Sequence, residues 1–367
     1  MKQTTTLFKS IAIVLLLLPV VGFANNDKFK GKYTKEKTEK KEYTVSANAS
    51  LEVDNSYGNI DIVTWNENRV VIEVVIRTNG NNEEKVQKKL DEISVDFSGS
   101  TSLVSAKTKF KKAKSTWSWW GSSSKKNGVS MEVNYTIKMP ASNSVNLSND
   151  YGGISIDRLE GNARIDCDYG QLEIGELLAD DNFLTFDYTR TANIRYMKSG
   201  KIDADYSDFT LEKVESLELD TDYTKSEILD VVSLTYNCDY GRLEVGKVER
   251  VRGNGDYIPQ NFDRVRSSLD IDSDYGSITV DDFSSDIKNV KINSSYAGIK
   301  LGFSSNAQFS FNLDLSYASL KGEDDFNVTS TNKNGSKKQY AGYAGSQSSG
   351  NAVNIRSSYG GVTFRKN

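Results

Sequence analysis

A tyrosine recurs through this chain at an almost constant interval, and this recurrence restricts the possible folds more than any other feature. Eight tyrosines from Tyr151 to Tyr275 are 17 to 19 residues apart, two more follow at steps of 21, and the last comes 42 residues later. A period near 20 residues is typical of a solenoid, in which each repeat forms one coil stacked on the previous coil. Together with the earlier Tyr57, which has the same local context, these residues are referred to as the tyrosine ladder: Tyr57, Tyr151, Tyr169, Tyr188, Tyr206, Tyr223, Tyr240, Tyr257, Tyr275, Tyr296, Tyr317 and Tyr359.

The sequence around each tyrosine alternates between apolar and other residues, as in Ile165 to Ile174. Alternation with period two on both sides of the tyrosine predicts two short strands joined at a corner. The tyrosine has the parity of the apolar positions, so its ring is expected to point inward or into the corner and to stack on neighbouring rings. The following glycine, as at Gly170, is expected to supply the permissive backbone of a tight corner. The fold class predicted is all-β, a single-stranded parallel β-helix (β-solenoid) with coils of about 17–21 residues.

An aspartate precedes the tyrosine in eight consecutive coils. We expect it to form an Asx-turn, in which the carboxylate accepts a hydrogen bond from the backbone two residues on. The alternative is a calcium-binding ridge, because carboxylates about 5 Å apart repel unless protonated or countered. A straight row does not form the cage of oxygens that calcium prefers, so the turn role is favoured and neither metal nor cofactor is predicted. The aspartate column comprises Asp150, Asp168, Asp187, Asp205, Asp222, Asp239, Asp256 and Asp274, and the calcium ridge would be centred on Asp187, Asp205, Asp222 and Asp239.

The N-terminus has the pattern of an export signal. Residues 1–24 combine the basic Lys2 and Lys9, an apolar stretch and the small-residue site ending at Ala24. This pattern predicts cleavage after Ala24 and an exported chain, periplasmic, cell-surface or secreted, with no transmembrane segment after cleavage. The formal net charge of −4 argues against nucleic-acid binding, and the absence of histidine removes the commonest general base and metal ligand.

The two cysteines both lie two residues before a ladder tyrosine. Cys167 and Cys238 therefore occupy equivalent positions four coils apart. At about 4.8 Å per coil this separation is roughly 19 Å, well beyond the distance that a disulfide can bridge. Two buried free thiols are predicted.

Outside the repeat the chain divides into distinct segments. Residues 25–42 are rich in Lys and Glu and are expected to be a disordered leader. Residues 43–142 are expected to form the first coil and a small strand-helix-hairpin N-terminal cap, whose only helix covers Glu83 to Ile93. Residues 143–367 are assigned to the solenoid, with a loop insertion at 322–350 that accounts for the doubled last interval.

The cap contains an unusual cluster of tryptophans and lysines. Trp117, Trp119 and Trp120 are three of the four tryptophans of the protein, and lysines flank them. One interpretation is a hairpin tip whose rings fold back on the solenoid. The other is a basic, aromatic patch for an anionic glycan, a lipid headgroup or a partner protein. The candidate patch comprises Trp117, Trp119, Trp120, Lys111, Lys112 and Lys114.

With these features in order, the chain resembles the bacterial "putative adhesin" family of exported β-solenoid domains. The resemblance depends on the export signal, the early coil Asn55 to Ile60, the strand-helix-hairpin insert, the segment Tyr135 to Pro140, and then the serial Tyr-Gly coils. It covers residues 43–367. It implies a parallel β-helix, typically right-handed, a surface or periplasmic role, and no catalytic residues.

Two classes of function are carried forward. The first is a non-catalytic, adhesin-like binding or structural module of the bacterial envelope, whose partner is an envelope glycan, lipid headgroups or another surface protein. The alternative is a polysaccharide-acting β-helix enzyme, a lyase or glycosidase using acidic residues. Catalytic carboxylates need different environments with separated pKa values, whereas a repeated column gives equivalent ones, so no enzyme is predicted.

Overall fold

The computed structural model describes residues 29–111, 128–285, 287–347 and 349–367. Within these residues the chain is all-β, as predicted, and its strands belong to one long, mostly parallel sheet. No helix in the described ranges is long and apolar enough to cross a membrane. The signal segment 1–24 lies outside the described residues.

The N-terminal part combines the first repeat of the strand pattern, here called a coil, with an insert. Within the described residues the first coil has two strands, and an insert with four strands and an α-helix follows it. The elements are β1 (Tyr33–Thr44), β2 (Ser50–Ser56), β3 (Ile60–Trp65), β4 (Arg69–Gly80), α1 (Glu83–Asp91), β5 (Ile93–Gly99), β6 (Leu103–Phe110) and β7 (Ser130–Pro140). The predicted helix is confirmed, and it ends two residues early because Ile93 begins β5. The side chain of Asn82 accepts a hydrogen bond from the backbone of Lys85, which caps the helix.

The prediction of a disordered leader is wrong for residues 33–42. These residues form most of β1, which pairs antiparallel with β4 over its whole length. Their Lys and Glu side chains alternate across a strand, and Arg77 of β4 forms an ion pair with Glu36. High charge suggested disorder because it limits burial, but an edge strand tolerates charge since only one of its sides is hydrogen-bonded.

The central part is a regular parallel stack of strands. Its strands are β8 (Ser144–Asp150), β9 (Gly153–Leu159), β10 (Ala163–Asp168), β11 (Gln171–Leu177), β12 (Asn182–Thr185), β13 (Ala192–Asp205), β14 (Asp208–Asp222), β15 (Lys225–Asp239), β16 (Arg242–Asp256), β17 (Pro259–Asp274) and β18 (Ser277–Phe283). Each strand pairs with the one a full repeat later, so that Leu211 lies beside Ile228, Ile228 beside Val245 and Val245 beside Phe262.

The core follows from the spacing of apolar residues within one repeat. In β14, Phe209 and Leu211 are two residues apart, Val214 and Leu217 follow at steps of three, and Leu219 returns to a step of two. Steps of two place side chains on one face of an extended strand, and a step of three marks a bend. All five are buried, so the strand bends twice while keeping its apolar side chains on the inside.

The C-terminal part departs from this regular order. Its elements are β19 (Asn289–Ser295), β20 (Gly298–Phe303), β21 (Phe309–Ser316), β22 (Leu320–Lys321), a 3₁₀ turn (Glu323–Asp325), β23 (Asn327–Asn334), β24 (Lys337–Ala344), β25 (Ala352–Ser358) and β26 (Val362–Lys366). Strand β25 pairs in parallel with both β19 and β21, so the last coil in the sequence lies between the two coils that precede it.

The prediction of a loop at 322–350 is wrong, because most of the segment is strand. The segment contains β23 and β24, which form an antiparallel hairpin, and β24 also pairs antiparallel with β21. Antiparallel pairs in the described residues occur only in the N-terminal insert and in this C-terminal hairpin. A stack of parallel strands leaves unpaired strand edges at both ends, and these segments add further strands there.

Candidate binding face along the tyrosine ladder

The twelve ladder tyrosines all adopt the same unusual backbone conformation. Their φ angles lie between 50° and 67°, in the left-handed region that non-glycine residues rarely occupy. This conformation costs about 1–2 kcal/mol for an L-residue. Main-chain hydrogen bonds continue through the corner, since the N–H of Tyr206 donates to the carbonyl of Asp222 in the next coil at 3.0 Å.

The rings of the ladder are stacked along the sheet. Adjacent ring centroids are 4.7–5.2 Å apart and the planes differ by 2–14°. Aromatic pairs in such arrangements contribute about 0.5–1.5 kcal/mol beyond the burial of their area. The stacking energy is therefore of the same size as the backbone strain, which explains how a tyrosine can occupy this position.

The rings point outward, so the prediction that they point inward is wrong. Rings stacked on both faces from Tyr151 onward have 47–51% of their surface exposed. The left-handed residue interrupts the alternation of the strand: Thr221 is buried, Asp222 and Tyr223 are both exposed, and Thr224 is buried again. The prediction from alternating positions assumes an extended backbone throughout. Because the backbone is left-handed at the tyrosine, the ring lies on the outer side of the sheet instead of the inner side.

The glycine after the tyrosine has a different role from the one predicted. Gly170 does not have a positive φ, but a Cβ there would lie 2.0 Å from the carbonyl oxygen of Gly152 in the preceding coil. The glycine permits close approach between coils, and the tyrosine itself supplies the left-handed turn.

The aspartate column connects neighbouring coils. The Oδ1 of Asp168 accepts a hydrogen bond of 3.1 Å from the backbone N–H of Asp187. The Oδ1 of Asp187 in turn accepts one of 3.1 Å from the backbone N–H of Asp205. The predicted Asx-turn, with its acceptor bond two residues on, is not the arrangement found. Equivalent bonds of 2.8–3.2 Å are accepted by Asp205, Asp239, Asp256 and Asp274.

Electrostatics in the column follow from partial burial and from the row of like charges. Burial, and secondarily the neighbouring carboxylates, raise the pKa values of Asp150 and Asp222. The pKa of Asp187 is raised by the same causes, although a backbone hydrogen bond opposes the shift. Partial burial in the stack, and then the adjacent rings, raise the pKa of Tyr206, so its phenol is a neutral hydrogen-bond donor at neutral pH.

The other predicted sites have different outcomes. The described residues contain no group of three or more acidic or Cys side chains arranged to hold a metal ion, so the calcium ridge has no geometric support. Cys167 and Cys238 are buried free thiols, as predicted, and burial raises both pKa values to about 12. Of the tryptophan-lysine patch, only Lys111 lies within the described residues.

A groove beside the C-terminal end of the ladder was missed by the sequence reasoning. It has a volume of about 480 Å³ and runs along the residues that immediately precede the last ladder tyrosines. Ser295, Ser358 and Ser316 occupy successive strands there, in place of the aspartate of the other coils. The signal in the sequence was this change from aspartate to serine, which gives shorter side chains and hence a depression. Lys337 and Arg356 also line the groove.

The two ends of the ladder differ in how the terminal ring is covered. Tyr57 contacts the edge of Phe110 at a centroid distance of 5.9 Å. At the other end the stacking order is Tyr296, Tyr359 and then Tyr317, because β25 lies between β19 and β21. Tyr317 stacks only on Tyr359 within the described residues, and 64% of its surface is exposed.

Neither the family models nor the curated proteins include a match to this chain. Solved structures of several bacterial proteins do show similarity. A "putative cell adhesion protein" from Clostridium sporogenes is 9% identical, with 91% of this chain and 100% of that chain covered and a TM-score of 0.19. A "putative adhesin" from Parabacteroides distasonis is 10% identical, covering 72% and 92%, with a TM-score of 0.32.

A "putative lipid binding protein", also from Parabacteroides distasonis, is 8% identical, covers 89% of this chain and 96% of that chain, and has a TM-score of 0.28. The chain is thus similar to solved structures described as bacterial adhesins and as a lipid-binding protein.

Proposed function

We propose that the chain is an exported β-solenoid that acts as a non-catalytic, adhesin-like binding module of the bacterial envelope, and that the outward face of the tyrosine ladder is its contact surface. The observation that carries this proposal is the row of half-exposed, stacked rings that follows the sheet through its coils. Contiguous exposed aromatic surface is characteristic of interaction sites. The regular parallel register supports closure of the coils into a β-helix, with the right-handed sense that the resemblance implies.

The chemistry of this face favours binding over catalysis. Asp150, Asp187 and Asp222 all have pKa values shifted in the same direction by the same leading cause. A general acid and its partner carboxylate need environments that separate their pKa values. Equivalent carboxylates beside neutral phenols instead provide a repeated set of hydrogen-bond acceptors and donors, which suits an extended partner.

The binding proposal is tested with the mature chain, residues 25–367, against neutral and acidic polysaccharides, peptidoglycan and vesicles of phosphatidylethanolamine and phosphatidylglycerol. A variant with Tyr188, Tyr206 and Tyr223 changed to Ala is compared with a matched variant in which three exposed residues on other faces, Glu212, Glu218 and Lys247, are changed to Ala. We expect the ladder variant to lose at least about tenfold in affinity and the matched variant to bind normally.

Thermal unfolding followed by circular dichroism establishes that both variants are folded. A third variant, with Trp117, Trp119 and Trp120 changed to Ala, tests the tryptophan-lysine patch as the alternative contact site. Equal binding by the ladder variant, or loss only in the tryptophan variant, would contradict the proposed contact surface. Release of reducing ends or unsaturated uronides from any polysaccharide would contradict the non-catalytic assignment and favour a lyase or glycosidase.

A further inference from the structure

The last ring of the ladder, Tyr317, is stacked on one face only within the described residues. Internal rings such as Tyr206 are covered on both sides by rings 4.8 and 5.0 Å away. Tyr317 has one such neighbour, Tyr359 at 4.8 Å, and is 64% exposed, compared with 49% for Tyr206. The face of an aromatic ring is electron-rich and attracts groups with partial positive charge, including the C–H bonds on one face of a sugar ring.

Polar groups without partners among the described residues line the groove that runs along the residues preceding Tyr317 and Tyr359. The structure gives the hydroxyls of Ser316 and Ser358 no hydrogen-bond partner among the described residues, although both line the groove next to the ladder. Arg356 lines the same groove, on the strand between β19 and β21, and no described carboxylate lies within ion-pairing distance of its guanidinium. Hydroxyl and guanidinium groups that lack protein partners are available to a ligand.

The balance of charge in the groove restricts the ligand. Four aspartates line it, together with two cations, Lys337 and Arg356. The excess of carboxylates disfavours uronates, sulfates and phosphates, while the two cations disfavour a polycation. Asn254 and Asn293 add amides, so the groove presents donors and acceptors of every type. This combination fits a ligand that is neutral, rich in hydroxyls and flat on one side. The four aspartates are Asp256, Asp272, Asp274 and Asp314.

We propose that the C-terminal end of the ladder is a binding subsite for a neutral oligosaccharide. A sugar ring stacks on the open face of Tyr317, and the adjoining residues of the same chain hydrogen-bond with Ser316, Ser358 and Arg356. This inference rests on the proposed function and makes it specific, because it assigns the ligand class and places the strongest contact at one ring. The internal rings, whose faces are covered, contribute only their edges and hydroxyls.

The test uses neutral hexasaccharides of glucose, xylose, mannose and N-acetylglucosamine, with hexamers of galacturonate and glucosamine as anionic and cationic probes. Binding to the mature chain is measured by isothermal titration and by saturation-transfer NMR. We expect at least one neutral hexamer to bind and Tyr317→Ala to weaken it by about tenfold. Tyr317→Phe keeps the ring face and should bind within about twofold of the unmodified chain.

Tyr206→Ala is the comparison variant, because it removes a ladder tyrosine whose faces are covered; only edge and hydroxyl contacts are lost, so it should weaken hexamer binding by no more than about twofold. Lys247→Ala, at an exposed residue on another face, is the control that should leave hexamer binding unchanged. Arg356→Ala should weaken binding while leaving the thermal unfolding midpoint unchanged. The subsite is refuted if Tyr317→Ala binds as the unmodified chain does, if Tyr206→Ala loses as much, or if only a charged hexamer binds. In these cases the polysaccharide and vesicle panel decides separately whether the ladder face is a contact surface at all.

Discussion

The middle of the tyrosine ladder and its C-terminal end share the same left-handed corner, but they differ in how many ring faces are stacked and in whether an aspartate links neighbouring coils. In the middle, Tyr206 is stacked on both faces, and the Oδ1 of Asp205 accepts a hydrogen bond from the next coil. At the end, Tyr317 is stacked on one face only within the described residues, and Ser316 replaces the aspartate. The repeat satisfies its own groups, so groups that can bind a ligand are concentrated where the repeat stops.

The comparison also shows two ways of stacking coils. Middle coils are stacked in sequence order, whereas β25 lies between β19 and β21 and therefore supports a coil that precedes it in the chain. Removal of a terminal coil from a sequential stack would expose one edge. Removal of β25 takes away an internal strand.

The largest expected effect therefore comes from ending the chain at Gly350. This change removes Val353, Ile355, Val362 and Phe364, which are 0–2% exposed, and burial of each such side chain contributes about 1.5–3 kcal/mol. We expect amide hydrogen exchange to accelerate in both β19 and β21, and the hairpin formed by β23 and β24 to lose protection with them.

A chain shortened by only Lys366 and Asn367 is the control, and its exchange should resemble that of the full chain. If the chain ending at Gly350 kept native protection in β21, the intercalated position of β25 would be contradicted.

A smaller effect is expected from single changes in the ladder. Tyr223→Ala removes two stacking contacts of about 0.5–1.5 kcal/mol each, whereas Tyr317→Ala removes one. Urea unfolding should therefore show about twice the loss of stability for Tyr223→Ala. Tyr223→Gly should recover about 1 kcal/mol relative to Tyr223→Ala, since glycine adopts a positive φ without strain.

Tyr223→Phe keeps the stack and should unfold close to the unmodified chain. Equal losses for Tyr223→Ala and Tyr317→Ala would show that the stack contributes little, and that the ladder is not what distinguishes the middle from the end.

The smallest effect concerns charge in the aspartate column. Burial raises the pKa of Asp222, so its favourable contribution is present below the ordinary aspartate pKa and is lost as pH rises through the raised value. Asp222→Asn should therefore stabilise the protein at neutral pH, and this difference should disappear in acid. Urea unfolding across this pH range measures it.

Asp180→Asn is the control of opposite sign. The hydrogen bond from Lys198 lowers the pKa of Asp180, so this carboxylate stabilises the fold at neutral pH and loses that contribution in acid. A destabilising effect of Asp222→Asn at neutral pH would contradict the account of the column as a row of partly buried, mutually repelling carboxylates.

Sequence reasoning was most successful where the physics is local and repeated. The helix at Glu83, the burial of Cys167 and Cys238 and the all-β character follow from periodicity and spacing over a few residues. The prediction of disorder for residues 33–42, which was based on their high charge, failed because pairing with β4 outweighed the local preference. The position of the candidate groove could not be predicted, since it depends on which coils become neighbours.

The repeat, its length and the residue types at each position of the corner can be read from the order of amino acids alone. The tertiary structure decided the direction of the tyrosine rings, because a positive φ breaks the alternation on which sequence parity depends. The order of the last coils also depends on the tertiary structure, because strands far apart in the sequence pair with one another and the length of the repeat does not specify which ones pair. The outward direction of the rings and the order of the last coils together place Tyr317 at the end of the stack.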